Sequence, residues 1–236
     1  MAGMTRRVRS RLWAYVLVIL LAAGAGAAAY YAVQSVSAQR HPSGYVPSGG
    51  VTAAPAETTI VFLGDAGFAA RGTDAWPARV ADQVDLMLVS LDAPGAGYVT
   101  RPDGEDCPTD FCPNILDLVP DAVGTGASVV VIAAGAHDAE VPVGQLRAQI
   151  DRVFTALRIG LPDAEIIAVG PAAVDPVAAE TVALEGTLKA TATAADVTYV
   201  SLLSPSAITA GQLDDGALSD AGQTAIAARV ADAIDR

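Results

Sequence analysis

Histidine is scarce in this chain, and that scarcity sorts the chemistry. Of the two histidines, His41 lies among Pro, Gly and Ser, which leaves His137 as the one imidazole of residues 58–236. It is followed by Asp138 and comes just after an apolar run. An imidazole oriented by a carboxylate can take a proton from water, and Asp138, Asp65 or Asp214 could be that acid. His137 with two carboxylates is also a usable oxygen and nitrogen ligand set. It lacks the i, i+4 spacing of a helical metal site, so no metal and no cofactor is expected. Other hydroxyls, Ser90, Ser201, Ser204 and Ser206, fall near strand ends without an evident base. Plainer roles compete: His137 as a hydrogen-bonded loop residue, and Asp65 as a cap for the turn after a strand.

Those groups need a scaffold, and from about Thr58 onward short apolar runs alternate with helical patterns. Thr59-Ile60-Val61-Phe62-Leu63 is a β-rich run that stops at Gly64. Asp74 to Val84 reads as a helix, with Asp74 as N-cap and Pro77 in its first turn. Asp85 to Leu91, Ser128 to Ala134, Glu165 to Val169 and Val197 to Leu202 read as further strands. Leu146, Ile150, Val153 and Leu157 mark one face of a helix. An Ala-rich helix fills about Pro176 to Ala194, and Gly222, Ile226, Val230 and Ile234 line a closing helix signalled by Ser219-Asp220. The run from Ser128 is apolar on both faces, as a central parallel strand is. The alternation predicts an α/β fold: a parallel sheet with helices on both faces and ligands at the carboxyl ends of its strands. Functional residues then belong at Gly64–Gly67, Asp92–Tyr98, Gly135–Asp138 and the loop around Leu203–Gly216.

Of the 236 residues 52% are hydrophobic and 17% charged, too apolar for a disordered chain. The net charge of −12 is unevenly spread. Residues 1–57 hold five Arg against Glu57, whereas residues 58–236 hold nine basic and 25 acidic side chains. A domain of that sign repels phosphate backbones, so no nucleic-acid partner is expected. Leu12 to Val33 is 22 residues without a charge. As a helix it would be about 33 Å long, enough to cross a hydrocarbon core of about 30 Å. Arg6, Arg7, Arg9 and Arg11 precede it. Residues 1–11 therefore read as a basic cytoplasmic tail and 12–33 as an uncleaved membrane span that leaves the following domain outside the cytoplasm. The alternative is a signal peptide cleaved after Ala38, although the apolar run exceeds an ordinary h-region. Residues 34–57, rich in Pro, Gly and Ser, read as a linker, and 58–236 as one domain.

Export bears on the cysteines. Cys107 and Cys112 lie in Cys-Pro-Thr-Asp-Phe-Cys-Pro, a polar insertion after the second strand, and a disulfide is the default there. A metal site would need two further ligands, and a redox motif would want a Cys-x-x-Cys spacing.

Four segments at strand ends, in order, resemble the blocks of the SGNH (GDSL-type) hydrolases. Ile60-Val61-Phe62-Leu63-Gly64-Asp65-Ala66 resembles the strand followed by Gly-Asp-Ser, with Ala66 at the position of the nucleophilic Ser. Gly72, Trp76-Pro77 and Arg79-Val80-Ala81 resemble the family's first helix. Pro94-Gly95-Ala96-Gly97-Tyr98 resembles the second block, whose Gly donates an amide to the oxyanion hole; Gly97 is preferred for that role, with Gly95 as the alternative. Gly135-Ala136-His137-Asp138 resembles Gly-x-Asn-Asp, with His137 in place of the oxyanion-hole Asn. Asp214-Asp215-Gly216-Ala217 resembles Asp-x-x-His, with Asp214 as the orienting acid and Ala217 at the position of the base. The resemblance covers about Thr58 to Arg236. It implies a flavodoxin-like three-layer sandwich around a five-stranded parallel sheet.

The departures fall on the chemistry. Losing the Ser or the His of a triad costs on the order of a million-fold in kcat. The expectation is therefore a membrane-anchored, extracytoplasmic pseudoenzyme that binds a cell-envelope glycan or protein, with Asp65, Gly97, His137 and Asp138 as binding residues. The alternative is an active esterase or deacetylase, on acyl esters of envelope glycans or lipids, that uses displaced residues around His137.

Overall fold

The computed structural model describes residues 58–65, 75–102, 107, 111–174, 177–214 and 217–234, all within one compact unit, 47–236. The expected cytoplasmic tail, membrane span, cleavage site and linker lie outside the described residues, as do Ala66, Gly72, Asp74 and the Asp215-Gly216 pair. No helix among the described residues is long and apolar enough to cross a membrane.

Five parallel strands form the sheet: β1 (Thr59–Gly64), β2 (Met87–Asp92), β3 (Val129–Ala133), β4 (Glu165–Val169) and β5 (Thr198–Val200), in the order β2-β1-β3-β4-β5. β3 is the central strand; β1 beside it is paired on both sides, and its apolar run is buried along its whole length. Its register sets Gly64 beside Asp92 of β2 on one side and Ala133 of β3 on the other. The chain goes outward from β1 to β2, then crosses back to β3. Asp65 therefore leaves the sheet where the winding reverses, the place where such sheets open a crevice.

Five helices cover the faces: α1 (Trp76–Val84), α2 (Ile115–Thr125), α3 (Val143–Gly160), α4 (Ala179–Ala194) and α5 (Asp220–Ala231). Alternation along the strands divides them. Ile60, Phe62, Val129, Val131, Ile167 and Val169 pack with Trp76 and Val80 of α1 and Ile226 and Val230 of α5. The intervening residues Val61, Leu63, Val130, Ile132, Ile166 and Ala168 are buried on the opposite face, where α2, α3 and α4 pack in series. Leu146, Ile150, Val153 and Leu157 are the buried stripe of α3, as their spacing predicts.

Helix ends carry the corrections. The N-cap of α1 is Ala75, which offers no side-chain cap; the Trp76 amide donates instead to the buried Gln223 Oε1 of α5 at 2.8 Å. Asp85, expected to start a strand, ends α1 in a left-handed conformation (φ 56°), so β2 begins two residues later. Sequence reading missed α2, which carries Pro120 inside it; its sign is the capping box of Asn114 and Asp117. It also missed the hairpin of β6 (Leu213–Asp214) and β7 (Ala217–Leu218), two residues each and too short for any periodicity. Ser219 caps α5 as expected, accepting from the Gly222 amide at 3.4 Å.

Candidate functional site

The site begins where β1 ends. A Cβ on Gly64 would fall 2.2 Å from the Ala133 carbonyl oxygen, so β1 and β3 approach as they do only because residue 64 has none. The Asp65 amide then donates to the same carbonyl at 3.2 Å, which fixes where the carboxylate starts. Its Oδ1 accepts from the Gly95 amide at 3.0 Å, and its Oδ2 lies 2.6 Å from His137 Nε2. The acid side chain is 9% exposed and the imidazole 43%. A sheltered carboxylate thus orients a ring that reaches solvent, the relation of an orienting acid to a base.

The neighbouring acid has a different task. Asp138 is 1% exposed. Its Oδ2 accepts from the Tyr98 amide at 2.6 Å, and its Oδ1 accepts from the amides of Thr100 at 2.9 Å and Val99 at 3.2 Å. The carboxylate sits so close to the loop that a Cβ on Gly97 would come within 2.3 Å of Oδ1. Thr100 Oγ1 donates to the His137 carbonyl at 2.9 Å, a second tie between the two loops. Within the loop, Ala96 donates to the Ala93 carbonyl at 3.0 Å and Gly97 to the Thr100 carbonyl at 2.9 Å. Every amide from Gly95 to Thr100 therefore has an acceptor inside the chain.

Two expectations are corrected by that accounting. Asp138 is a buried anchor with no surface to offer a ligand. Gly97 turns its amide to Thr100, and the alternative, Gly95, turns its own to Asp65. Beneath the loop, the fully buried Tyr98 ring meets Phe154 edge-on at 6.4 Å. Burial, and then the Asp138 carboxylate, raise the Tyr98 phenol well above its ordinary range.

A cavity of about 40 Å³ opens at the carboxyl ends of β1, β3 and β4. Asp65 supplies its charged wall; Trp76, Ala136, Pro171, Leu202 and Ile226 are among its apolar ones. His137 stands one hydrogen bond from this cavity through Asp65. Trp76 is the wall residue that residue-by-residue reading undervalued. It is the only Trp of residues 58–236, at the start of the helix that follows the site.

Asp214 and Ala217 are brought to each other, as paired residues of the β6–β7 ladder, and Ala217 is exposed. Ser201 has found a carboxylate after all: its hydroxyl donates to Glu185. It also accepts from the amides of Ser204 at 2.9 Å and Leu203 at 3.3 Å, the pattern of a turn former. Ser90 donates to Asp92 at 2.7 Å. Cys107 and Cys112 are bonded, with Cα atoms 5.6 Å apart. Arg101 ties that bridge to α2: it donates to the Cys112 carbonyl at 3.1 Å, pairs with Asp117 at 2.6 Å and lies 5.0 Å over the Phe111 ring. No group of three His, Cys, Asp or Glu gathers as a metal site among the described residues.

No family model and no curated protein matches the sequence. Solved structures do. A protein of the G-D-S-L family from Desulfitobacterium hafniense DCB-2 superposes with a TM-score of 0.57 at 15% identity, over 75% of this chain and 99% of that one. A carbohydrate acetylesterase family member from Sinorhizobium meliloti gives 0.59 at 16% identity, over 74% and 96%. A family two carbohydrate esterase from Clostridium thermocellum, in complex with cellohexaose, gives 0.57 at 17% identity, over 78% of this chain and 66% of that one. The domain has the α/β fold of the SGNH esterases.

Proposed function

We propose that this chain is a membrane-anchored, extracytoplasmic SGNH-like domain that binds a cell-envelope glycan without cleaving it by a Ser–His–Asp route. The observation that carries this reading is a cleft without its base. The carboxyl-end cavity is open, while the position expected to hold the imidazole is the methyl group of Ala217. The one imidazole of the domain is held elsewhere, on Asp65. The inward-turned amides of Gly95 and Gly97 support it, because acyl transfer needs donors aimed at the developing oxyanion. The carbohydrate esterases among the structural neighbours, one of them holding cellohexaose, support a glycan over a protein as the ligand. The uncharged run Leu12–Val33 behind four Arg supports the anchor.

The test compares wild type, Ala66→Ser, Ala217→His and the double variant on one chromogenic acetate. Wild type and both singles are expected at background. The double is expected to show partial turnover, limited by the committed Gly97 amide. Wild-type turnover that survives His137→Ala would overturn the reading.

One observation favours a second reading, hydrolysis by displaced residues. Asp65 and His137, at 2.6 Å, form the acid and base of a couple that could activate water. Under that reading, wild type turns over the acetate and His137→Ala abolishes it.

A further inference from the structure

We infer that this chain pairs with a second copy of itself through the free edge of β2, strand against strand, with Val89 on the two-fold axis. The inference goes beyond the binding reading above and leaves the cleft as described.

The sheet has two edges. β5 spans three residues and offers little to pair with. β2 spans six, Met87–Asp92, with no charge before Asp92, no proline and no glycine. Natural edges are blunted by charges, prolines or bulges, because an open one recruits another strand. The phase of the backbone says which groups are on offer. The Ala93 amide donates inward, to the Gly64 carbonyl of β1 at 2.8 Å. Backbone groups alternate sides along a strand, so Met87, Val89 and Leu91 also face β1, and Leu88 and Ser90 turn their N–H and C=O groups outward. Neither has a backbone partner on that side among the described residues.

A second β2 fits that pattern. A two-fold axis normal to the sheet runs the two strands antiparallel and keeps each side chain on its own face. With Val89 on the axis, Leu88 of each copy lies opposite Ser90 of the other, and the outward groups of both residues are paired. Moving the axis to Leu88 sets Ser90 against Leu86, whose amide is already given to the Ala81 carbonyl. Moving it to Ser90 sets the apolar Leu88 beside the Asp92 carboxylate. On the Val89 axis, Val89 meets Val89, and Met87, 52% exposed in the single chain, comes opposite the second copy's Leu91. The two Asp92 residues then stand about 20 Å apart along the strands.

Residues 58–236 carry 25 acids against nine bases, so copies repel at long range, and an uncharged strand is a contact they can make once screened. The tether reaches. Thr59 lies beside Met87, so in the pair the two β1 starts are about 20 Å apart. Residues 34–57, as a flexible chain, span about 25 Å on average. Antiparallel pairing also sends the two carboxyl-end cavities opposite ways, so neither copy covers the other's cleft.

Cys107 and Cys112 are bonded to each other, so an added cysteine is the sole free thiol. The test introduces Val89→Cys or Met87→Cys into the full chain in detergent, oxidises with copper phenanthroline and reads the covalent dimer on non-reducing gels. Residues facing each other on the Val89 axis have Cα atoms about 4.5 Å apart, within disulfide reach. The two Met87 positions are about 14 Å apart, beyond it, although Met87 is the more exposed. Val89→Cys is expected to link at least about tenfold faster than Met87→Cys, and faster still as salt rises. Ser90→Pro removes an outward N–H and no β1 bond; with folding checked by circular dichroism, it is expected to abolish the Val89→Cys link. Ser90→Lys, which brings two cations within about 7 Å, does the same work if the proline unfolds the chain. Linking at Met87→Cys as fast as at Val89→Cys overturns the pairing, as does a Val89→Cys link that survives both Ser90 variants. A chain that stays monomeric by sedimentation at every concentration overturns it too. Solubility of the full chain without detergent overturns the anchor reading alone, and the same links still decide the pairing.

Discussion

The two halves of this comparison, the loop that Asp65 and Asp138 hold and the β6–β7 hairpin, are built on different physics. On the β1–β3 side, side-chain carboxylates hold backbone. Asp138 gathers three amides from a loop 38 to 40 residues earlier, and Asp65 takes a fourth. On the hairpin side, backbone holds backbone: Asp214 and Ala217 sit in a ladder of two residues per strand, and Ala217 is exposed. Buried ionic anchors are expensive to disturb, whereas an exposed position such as Ala217, between core contacts made by Leu213 and Leu218, tolerates almost any side chain. The position where the fold expects a base is thus one that packing constrains little. A base can be lost from such a place, or put back, at little cost to the fold.

Substitutions on the two halves can break that contrast. Asp138→Asn carries the largest expected effect. Asn keeps one acceptor oxygen but sets its NH2 against the N–H of Tyr98 or against those of Val99 and Thr100, and a loss of about 3 kcal/mol in denaturant unfolding is expected. A loss below about 1 kcal/mol would make the clamp ornamental. Gly97→Ala comes next: the added methyl must displace the anchored carboxylate of Asp138, for about 2 kcal/mol by the same measurement. Tyr98→Phe acts on the same half through pH. Burial raises the Tyr98 phenol above its unfolded value, so the neutral ring stabilises the fold fully below about pH 10. That contribution is lost as pH rises beyond the unfolded value, where the unfolded chain alone gives up its proton. Tyr98→Phe should leave stability at pH 7 within about 1 kcal/mol and flatten the fall above pH 10. The hydroxyl it removes has no hydrogen-bond partner among the described residues. Smallest of all, Ala217→His should change stability by under about 0.5 kcal/mol. A cost there as large as at Gly97 would erase the contrast between the two halves.

The legible part of this molecule was its periodicity. The buried stripe Leu146, Ile150, Val153, Leu157 and the continuous run in β1 announce their elements, because each repeats a spacing that burial enforces. Pro120 hid α2, since a proline argues against a helix interior until the Asn114–Asp117 box is weighed against it. The site was half legible. Asp65, Gly95, Gly97, His137 and Asp138 do gather at one edge, as residues that follow strands should. Their division of labour was not readable. His137 and Asp138 are adjacent, yet one ring reaches solvent while the next carboxylate is sealed against a distant loop. Only the side-chain partners, 38 to 72 residues away, decide which is which.

The Asp138 clamp also sets an order of events. A loop whose amides wait for an acceptor 40 positions downstream cannot take its final shape while the chain is still short. Until β3 has joined the sheet and carried Asp138 into place, the amides of Tyr98, Val99 and Thr100 have only water for partners, and a protease would find them there. That stretch of loop is therefore among the last parts of this domain to exist.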